Sequence, residues 1–288
     1  MNYSISSEKF NNPLLKDLLQ ALSSYFTSKS LPFYVIGATA RDIIMRQLLD
    51  QESSRHTQDL DIAIAIPDWD KFEEISLEIA QLKDFEKSSH QKQRFHFRKD
   101  YELDIVPFGT VAKDDGNIYW PPEEEFRMSV KGFDEALKDF MTIRIDDEFE
   151  IRIASLSGLF LLKLNAWIDR NISTSKDAED LCYIIGNYYD VFEEYNIERG
   201  YHQDIYEMED FDVFVAGAIW LGYDIVVLLT HEQTSCYNSI LISELQKEEE
   251  SRLIEQMMKQ NSSVSYEMAH RALSKISSIL QQNNSKYE

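Results

Sequence analysis

The sequence predicts an α/β (α+β) fold, with a mixed β-sheet flanked by helices and followed by a mainly helical C-terminal region. Up to Gly109, segments with helical spacing of apolar residues alternate with short apolar or alternating runs that are typical of strands. From about residue 155 onward, almost every segment has helical periodicity. We therefore expect two domains, 1–150 and 151–288, although no Gly/Ser-rich linker marks the boundary.

The first domain is predicted to contain seven elements in the order α-β-α-β-α-β-β. Leucines recur at helical spacing from Leu14 to Leu22, and Pro32 and Gly37 bound a short apolar strand. The predicted helices cover 12–26, 38–49 and 68–82, and the predicted strands cover 32–37, 59–67, 92–99 and 101–109. The last two strands read as a hairpin. This order is typical of a mixed sheet covered by helices.

The segment after Gly109 is expected to be less regular. Asp-Gly and Pro-Pro pairs in "KDDGNIYWPPEEE" indicate a loop, and "MTIRIDDEFEIRIASL" reads as two strands around an acidic turn. Tyr119 and Trp120 lie in the loop, and they belong either to the core or to a surface that stacks on a base. The remaining chain is predicted to be helical to about Ile279.

The composition predicts a folded cytoplasmic protein that makes no membrane contact. Of the 288 residues, 43% are hydrophobic and 12% aromatic, which is enough to build a core. No run of 18 apolar residues occurs, and the N-terminal stretch lacks the pattern of a secretion signal. Cys182 and Cys236 lack metal-ligand spacing, so we expect them to be reduced thiols.

The charge argues against general nucleic-acid binding, with one local exception. The formal net charge is −22, whereas binding to a phosphate backbone needs Lys and Arg. Residues 83–99, however, carry six Lys or Arg side chains against Asp84 and Glu86, with Phe95 and Phe97 among them. This basic segment either contacts an RNA strand or is an edge hairpin whose charges prevent aggregation.

Two aspartates open the predicted strand "DLDIAIAIP". Asp59 and Asp61 are two residues apart, so their side chains lie on the same face of a strand. Two neighbouring carboxylates repel each other unless solvent or a cation separates them, and hard oxygen ligands suit Mg²⁺. Asp104 interrupts a later apolar strand in the same way. Together the three residues predict a site for Mg²⁺ or Mn²⁺ and a nucleotide, whereas a lone Asp-x-Asp is more often a strand-entry feature.

These stretches resemble the nucleotidyltransferase superfamily with the polymerase β-like fold, which includes the CCA-adding enzymes. The resemblance rests on "VIGATARDIIM", "DLDIAI" and "LDIVPFG". The superfamily has a Gly-Gly or Gly-Ser turn, an acidic pair on the next strand and a third carboxylate on a later strand. Gly37 matches the first turn residue and Arg41 the Arg-Asp pair that follows, whereas Ala38 departs from the pattern.

A second resemblance lies in the helical half. "SLSGLFLLKLNAWIDRNISTSKDAEDLCYII" is similar to the later motifs of the AbiEii-like branch, which includes toxins of toxin–antitoxin pairs. The matching positions are Lys163, Arg170, Lys176, Asp177 and Asp180. From the residues alone, Lys163 either extends its ammonium from an apolar helix to solvent or provides a cation that contacts the nucleotide phosphates. Asp177 and Asp180 either cap a helix, pair with Lys163 or Arg170, or accept a proton.

The resemblance implies transfer of a nucleoside monophosphate from an NTP to an acceptor hydroxyl. Asp59, Asp61 and Asp104 would bind the metal, and Asp104 would also be a candidate base. Lys163 would neutralise developing charge. The implied nucleotide-binding residues are Gly37, Ala38, Arg41, Lys163, Arg170, Lys176, Asp177 and Asp180.

The acceptor stays open between tRNA or another RNA, a protein and a small molecule. An antitoxin is an expected partner. Two alternatives remain, a small-molecule nucleotidyltransferase and a non-catalytic nucleotide-binding module with a degenerate Gly-Ala turn.

Overall fold

The computed structural model describes residues 2–10, 12–49, 59–198, 205–206, 208, 210–259 and 261–284. The chain divides into two compact units, Met1–Ser155 and Leu156–Glu288. The boundary expected at residue 150 falls inside a strand, Phe149–Ala154, which belongs to the first unit.

The first unit is built on a mixed sheet that contains eight strands among the described residues. In chain order these strands are β1 (Asn2–Ile5), β2 (Phe33–Ile36), β3 (Asp59–Ala65), β4 (Phe85–Lys87), β5 (Arg94–Phe97), β6 (Tyr101–Phe108), β9 (Phe140–Ile145) and β10 (Phe149–Ala154). Two short strands, β7 (Asn117–Tyr119) and β8 (Arg127–Ser129), pair separately. The order across the large sheet is β1-β9-β10-β2-β3-β6-β5-β4. The parallel pair β3 and β6 therefore lies inside the sheet.

The described helices of the first unit are α1 (Leu14–Ser28), α2 (Gly37–Leu49), α3 (Trp69–Ala80) and the short α4 (Phe133–Ala136). Helix α1 buries its leucine stripe, with Leu18, Leu19 and Leu22 fully enclosed. Helix α3 begins after Asp68, whose carboxylate accepts a hydrogen bond of 2.9 Å from the backbone N–H of Lys71. Amphipathic spacing and a side-chain cap therefore explain why these segments are helical.

The described part of the second unit is helical. Its helices are α5 (Leu156–Arg170), α6 (Lys176–Glu198), α7 (Val213–Val226), α8 (His231–Leu245), α9 (Arg252–Met258) and α10 (Tyr266–Asn284). Helix α7 is buried on most sides and packs against α6 and α10. Thr230 begins α8 with a reciprocal capping box to Gln233. Among the described helices, none combines the length and the hydropathy of a membrane span.

The predicted fold class is confirmed, and two expectations about its details are wrong. Strands β1 and β4 were not predicted; they have four and three residues and lie at the two edges of the sheet. The segment expected to be a loop contains β7, and Trp120 beside it is buried against Trp69 and Phe72. Strands of three or four residues are too short to show an alternation of apolar and polar residues. They are recognised as strands only from their hydrogen-bonded partners.

Candidate functional site

The parallel pairing of β3 and β6 brings four carboxylates together on one face of the sheet. Asp61 lies opposite Asp104, and Asp59 lies opposite Glu102. Paired residues of adjacent strands point to the same face, and the strands are about 4.8 Å apart. Asp59 is exposed, and the other three are partly buried. We call these four residues the carboxylate face.

Glu102 was not among the predicted site residues, although the sequence contains a signal for it. Glu102 and Asp104 repeat the i, i+2 spacing of Asp59 and Asp61 on what was already predicted to be a strand. The registered pairing then places both acids of one strand beside both acids of the other.

Gly37 gives the carboxylate face its shape at the start of α2. Its φ of +70° lies in the left-handed region, and a Cβ at this position would meet Oδ2 of Asp61 at 2.3 Å. Ile36, the residue before it, lies opposite Asp61 in the ladder between β2 and β3. A glycine is therefore required both by the backbone conformation and by the close approach of the Asp61 carboxylate.

Thr39 on α2 and Tyr101 on β6 lie near the acids at the start of β3. The hydroxyl of Thr39 donates a hydrogen bond of 2.8 Å to the carbonyl oxygen of Asp59, which ties α2 to β3. The pKa of Tyr101 is raised to about 12, chiefly by burial and further by the negative charges of Asp59, Asp42 and Asp61. Asp59 and Asp61 are neighbouring carboxylates on one face of β3, and such a pair favours a cation between its members.

Arg94 on β5 holds the carboxylate of Asp104. Its Nε and Nη2 atoms each donate to one oxygen of Asp104, both at 2.8 Å, and Nη1 contacts Glu102. The hydrogen bond to Asp104, followed by the charges of that residue, of Glu102 and of Asp59, raises the pKa of Arg94. The predicted hairpin register could have revealed this pair, because a turn at 98–100 places Arg94 opposite Asp104.

The donor chemistry of the carboxylate face fits a hard divalent cation, but the three predicted ligands do not converge. Among the described residues, no three His, Cys, Asp or Glu side chains form a metal-binding group. Strand β5 pairs with β6 on the side away from β3, so Arg94 holds Asp104 from the far side. Asp59 and Asp61 fit the cation, whereas both oxygens of Asp104 are engaged by Arg94.

Arg41 pairs with the next residue in the chain, Asp42. Its Nε and Nη2 atoms contact Oδ1 of Asp42 at 2.8 and 2.7 Å, and the residue is buried. Ala38 follows Gly37 in the first turn of α2 and is partly buried.

The candidate residues of the second unit contact one another. Lys163 on α5 places its Nζ 2.6 Å from Oδ2 of Asp180 and 3.5 Å from Oδ1 of Asp177 on α6. The Nε and Nη2 atoms of Arg170 donate to the two oxygens of Asp177 at 2.6 and 2.7 Å. Lys176, the first residue of α6, is exposed. We call Lys163, Arg170, Asp177 and Asp180 the α5–α6 cluster.

Both acids of the α5–α6 cluster are buried, at 0% exposure for Asp177 and 7% for Asp180. Burial pushes the pKa of Asp177 upward, but the hydrogen bond from Arg170 and the charge of Lys163 outweigh it, so the pKa is lowered overall. Of the alternatives left open by the sequence, pairing with Lys163 and Arg170 is the one observed. Contact of these residues with a nucleotide stays a prediction.

The basic segment 83–99 lies at the β4 edge of the sheet, and most of its cations have acidic partners or carbonyl acceptors within the chain. Lys92 contacts Glu123 at 2.6 Å, and Arg98 contacts Asp17 and Asp84 at 2.6 and 3.0 Å. Burial lowers the pKa of Lys87 to about 8, and its ammonium donates to the carbonyl oxygen of Lys92. These contacts match the edge-hairpin interpretation more closely than an open RNA-binding strip.

Acidic side chains on adjacent strands, beside a glycine that opens a helix, are the pattern of a nucleotidyltransferase core. The family model described as "Nucleotidyl transferase AbiEii toxin, Type IV TA system" matches residues 18–259. The chain therefore belongs to the AbiEii nucleotidyltransferase family. This confirms the resemblance stated from the sequence.

Two solved structures are similar to this chain at low identity. One is an antigenic nucleotidyltransferase-like protein from Paracoccidioides brasiliensis, with 16% identity, a TM-score of 0.40, and coverage of 70% of this chain and 93% of the other. The second is the Thermotoga maritima CCA-adding enzyme complexed with tRNA, with 14% identity, a TM-score of 0.26, and coverage of 96% and 83%. No curated protein matches the chain.

Proposed function

We propose that the protein transfers a nucleoside monophosphate from an NTP to an acceptor hydroxyl, with Mg²⁺ or Mn²⁺ as cofactor. The acceptor oxygen forms a bond to the α-phosphorus, the bond from that phosphorus to the bridging oxygen breaks, and pyrophosphate leaves. Family membership supports the transferase chemistry. The observation that carries the proposal is the carboxylate face of β3 and β6 directly beside Gly37 at the start of α2.

The residues of the first unit have distinct proposed roles. Asp59 and Asp61 hold the divalent cation, which when bound neutralises phosphate charge and stabilises the transition state. Gly37 and Ala38 offer backbone N–H groups at the N-terminus of α2, where anions are favoured. Arg41, on the same helix, compensates the negative charge of the bound phosphates.

Asp104 has a proposed double role as a further metal ligand and as the base that accepts the proton of the attacking hydroxyl. Either role needs a lone pair of the Asp104 carboxylate that Arg94 does not occupy. For Lys163, Arg170, Lys176, Asp177 and Asp180, nucleotide binding is proposed from the family resemblance, and Lys163 would supply positive charge for the phosphates. In the α5–α6 cluster, however, two basic side chains neutralise the charges of two buried aspartates. A structural role is therefore the competing explanation.

A second candidate function is a nucleotide-binding module without turnover. It is favoured by the bidentate pairing of Asp104 with Arg94 and by Ala38 in place of a second glycine or serine. Such a module binds NTP and cation but forms no product.

We further propose that the protein acts in the cytoplasm, where NTPs are present, and that an antitoxin is its partner. The first proposal is supported by two free cysteines among the described residues, Cys182 and Cys236. The second is supported by the family's type IV toxin–antitoxin description.

A labelling assay tests the transfer. The full-length protein is incubated with Mg²⁺ and each α-³²P NTP in turn, together with total RNA, protein extract or small-molecule extract. We expect label in one acceptor fraction, and we expect Asp59→Ala/Asp61→Ala to abolish it. Binding of Mg–NTP without label in any fraction would instead support the binding module.

The acceptor class can be tested on the exposed lysines of the basic segment. Lys83 and Lys99 are exposed, so their reversal to Glu disturbs the packing little. The Lys83→Glu/Lys99→Glu variant is expected to lose labelling of an RNA acceptor, because its affinity depends on phosphate neutralisation, and to keep labelling of a small acceptor. Lys131→Glu/Lys138→Glu, with the same change in charge outside this segment, is the control.

A further inference from the structure

Asp104 is the acid of the carboxylate face whose two oxygens are both bound by an arginine. Nε and Nη2 of Arg94 donate one hydrogen bond to each oxygen at 2.8 Å, in the fork geometry that suits a carboxylate. The contact is shielded, since the side chains of Arg94 and Asp104 are 19% and 15% exposed. It is therefore stronger than an exposed ion pair.

The direction of this contact also matters. Across the sheet, Ile36, Asp61, Asp104 and Arg94 lie in one row on β2, β3, β6 and β5. Asp104 thus has Asp61 on one side and Arg94 on the other. Arg94 occupies one lone pair on each oxygen, so a cation held by Asp61 would have to share the Asp104 carboxylate with a second positively charged group.

We propose that Arg94 is a positioning residue that competes with the divalent cation for Asp104. While Arg94 is bound to Asp104, the cation is held by Asp59 and Asp61, and Asp104 joins them when the guanidinium releases it. This inference rests on the proposed function, because it needs a cation at Asp59 and Asp61. It adds a step that controls when the third carboxylate becomes available as ligand or base.

Arg94 has an alternative partner that makes release chemically reasonable. Its Nη1 atom already contacts Glu102, one row along the same face. The side chain of Glu102 is 42% exposed, and the residue lies opposite His96 on β5. When Asp104 turns to the cation, Arg94 keeps a carboxylate partner and is not left with an unpaired charge.

A double-mutant cycle on Mn²⁺ binding tests the proposal without relying on turnover. The full chain is titrated with Mn²⁺ alone, and free Mn²⁺ is followed by electron paramagnetic resonance. We expect Asp104→Asn alone to change affinity less than twofold, since Asp104 is held by Arg94. We expect Arg94→Gln to tighten binding about tenfold, and Arg94→Gln/Asp104→Asn to return to the original affinity.

The cycle separates release of Asp104 from a general charge effect. If Arg94 acts merely through its charge, Asp104→Asn will weaken Mn²⁺ binding equally with and without Arg94, and the proposal is overturned. Arg94→Lys keeps the charge but loses the fork, so it is expected to tighten binding by an intermediate factor. This milder variant also serves if Arg94→Gln folds poorly, and Arg98→Gln is the control on the same segment.

The proposed function can fail separately from this inference. If Asp59→Ala/Asp61→Ala binds Mn²⁺ as the original protein does, the metal site itself is refuted. If that variant loses Mn²⁺ binding but the effects of Arg94→Gln and Asp104→Asn on Mn²⁺ affinity are additive, the metal site stands and the role of Arg94 is refuted.

Discussion

The carboxylate face and the α5–α6 cluster both combine aspartates with basic side chains, but they differ in burial. In the α5–α6 cluster, Asp177 and Asp180 are enclosed and held by Lys163 and Arg170. On the carboxylate face, Asp59 is exposed. Buried acids such as Asp177 and Asp180 need basic partners for the folded state to be stable. Acids that are open to solvent can exchange bound water for a ligand.

Sequence motifs alone assign both the carboxylate face and the α5–α6 cluster to nucleotide binding. Each interrupts an apolar segment with charge, and each matches a family pattern. The structure separates them by what the charges contact. We therefore expect the two groups to respond differently to mutation, one through stability and the other through ligand binding.

The largest stability effect is expected in the α5–α6 cluster. Asp177→Asn leaves Arg170 without its buried carboxylate partner and leaves Lys163 with Asp180, so the free energy of unfolding should fall by about 3 kcal/mol. Urea unfolding followed by circular dichroism measures it. Asp169→Asn, an equal charge change at an exposed position of α5, should stay within about 0.5 kcal/mol. Equal stability of both variants would show that the α5–α6 cluster does not stabilise the fold, and its contrast with the carboxylate face would no longer hold.

The next effect is expected at Gly37. Gly37→Ala places a Cβ against the Asp61 carboxylate and forces a left-handed backbone on alanine, so stability should fall by about 1–2 kcal/mol and Mn²⁺ binding should weaken. The matched control is Gly116→Ala. Gly116 has a similar φ of +75°, but its Cβ would meet the flexible side chain of Lys131. Gly116→Ala should therefore lose stability and keep Mn²⁺ affinity; a loss of affinity in both variants would count against a local role for Gly37.

The smallest effect concerns pH. Because the folded-state pKa of Asp177 lies below its usual value, its stabilisation is present above the unfolded pKa of about 3.9. That stabilisation is lost as pH falls through the lower folded-state pKa. The stability difference between the original protein and Asp177→Asn should thus shrink as urea unfolding is repeated from pH 6 towards pH 3. A difference that stays constant over this range would show that pairing does not set the protonation of Asp177.

Much of the fold could be predicted from the sequence, because long amphipathic helices and apolar strands carry a clear period. The helices around Leu18 and Phe72, and the strand that begins at Asp59, were all placed within a few residues. The pairing of β1 with β9 could not be predicted, since a strand of four residues acquires its place from a partner about 140 residues away.

The acids of the candidate site are predictable from strand spacing, whereas the partner of Asp104 is predictable only when the hairpin register is included. Spacing placed Asp59 and Asp61 on one face, and the later strand supplied Asp104. The arginine that binds Asp104 was assigned to a basic surface segment, because charge was counted along the chain and the hairpin register was not used. Side-chain pairing depends on that register, which a single strand pattern does not contain.

The most direct test of the account is calorimetry of NTP binding in the presence of Mn²⁺, comparing Asp59→Asn/Asp61→Asn with Asp177→Asn. The experiment is done at a temperature where both variants are folded by circular dichroism. We expect the first variant to lose Mn²⁺-dependent NTP binding by at least about tenfold and the second to retain it. Retention by Asp59→Asn/Asp61→Asn would contradict the assignment of the carboxylate face as the nucleotide and metal site.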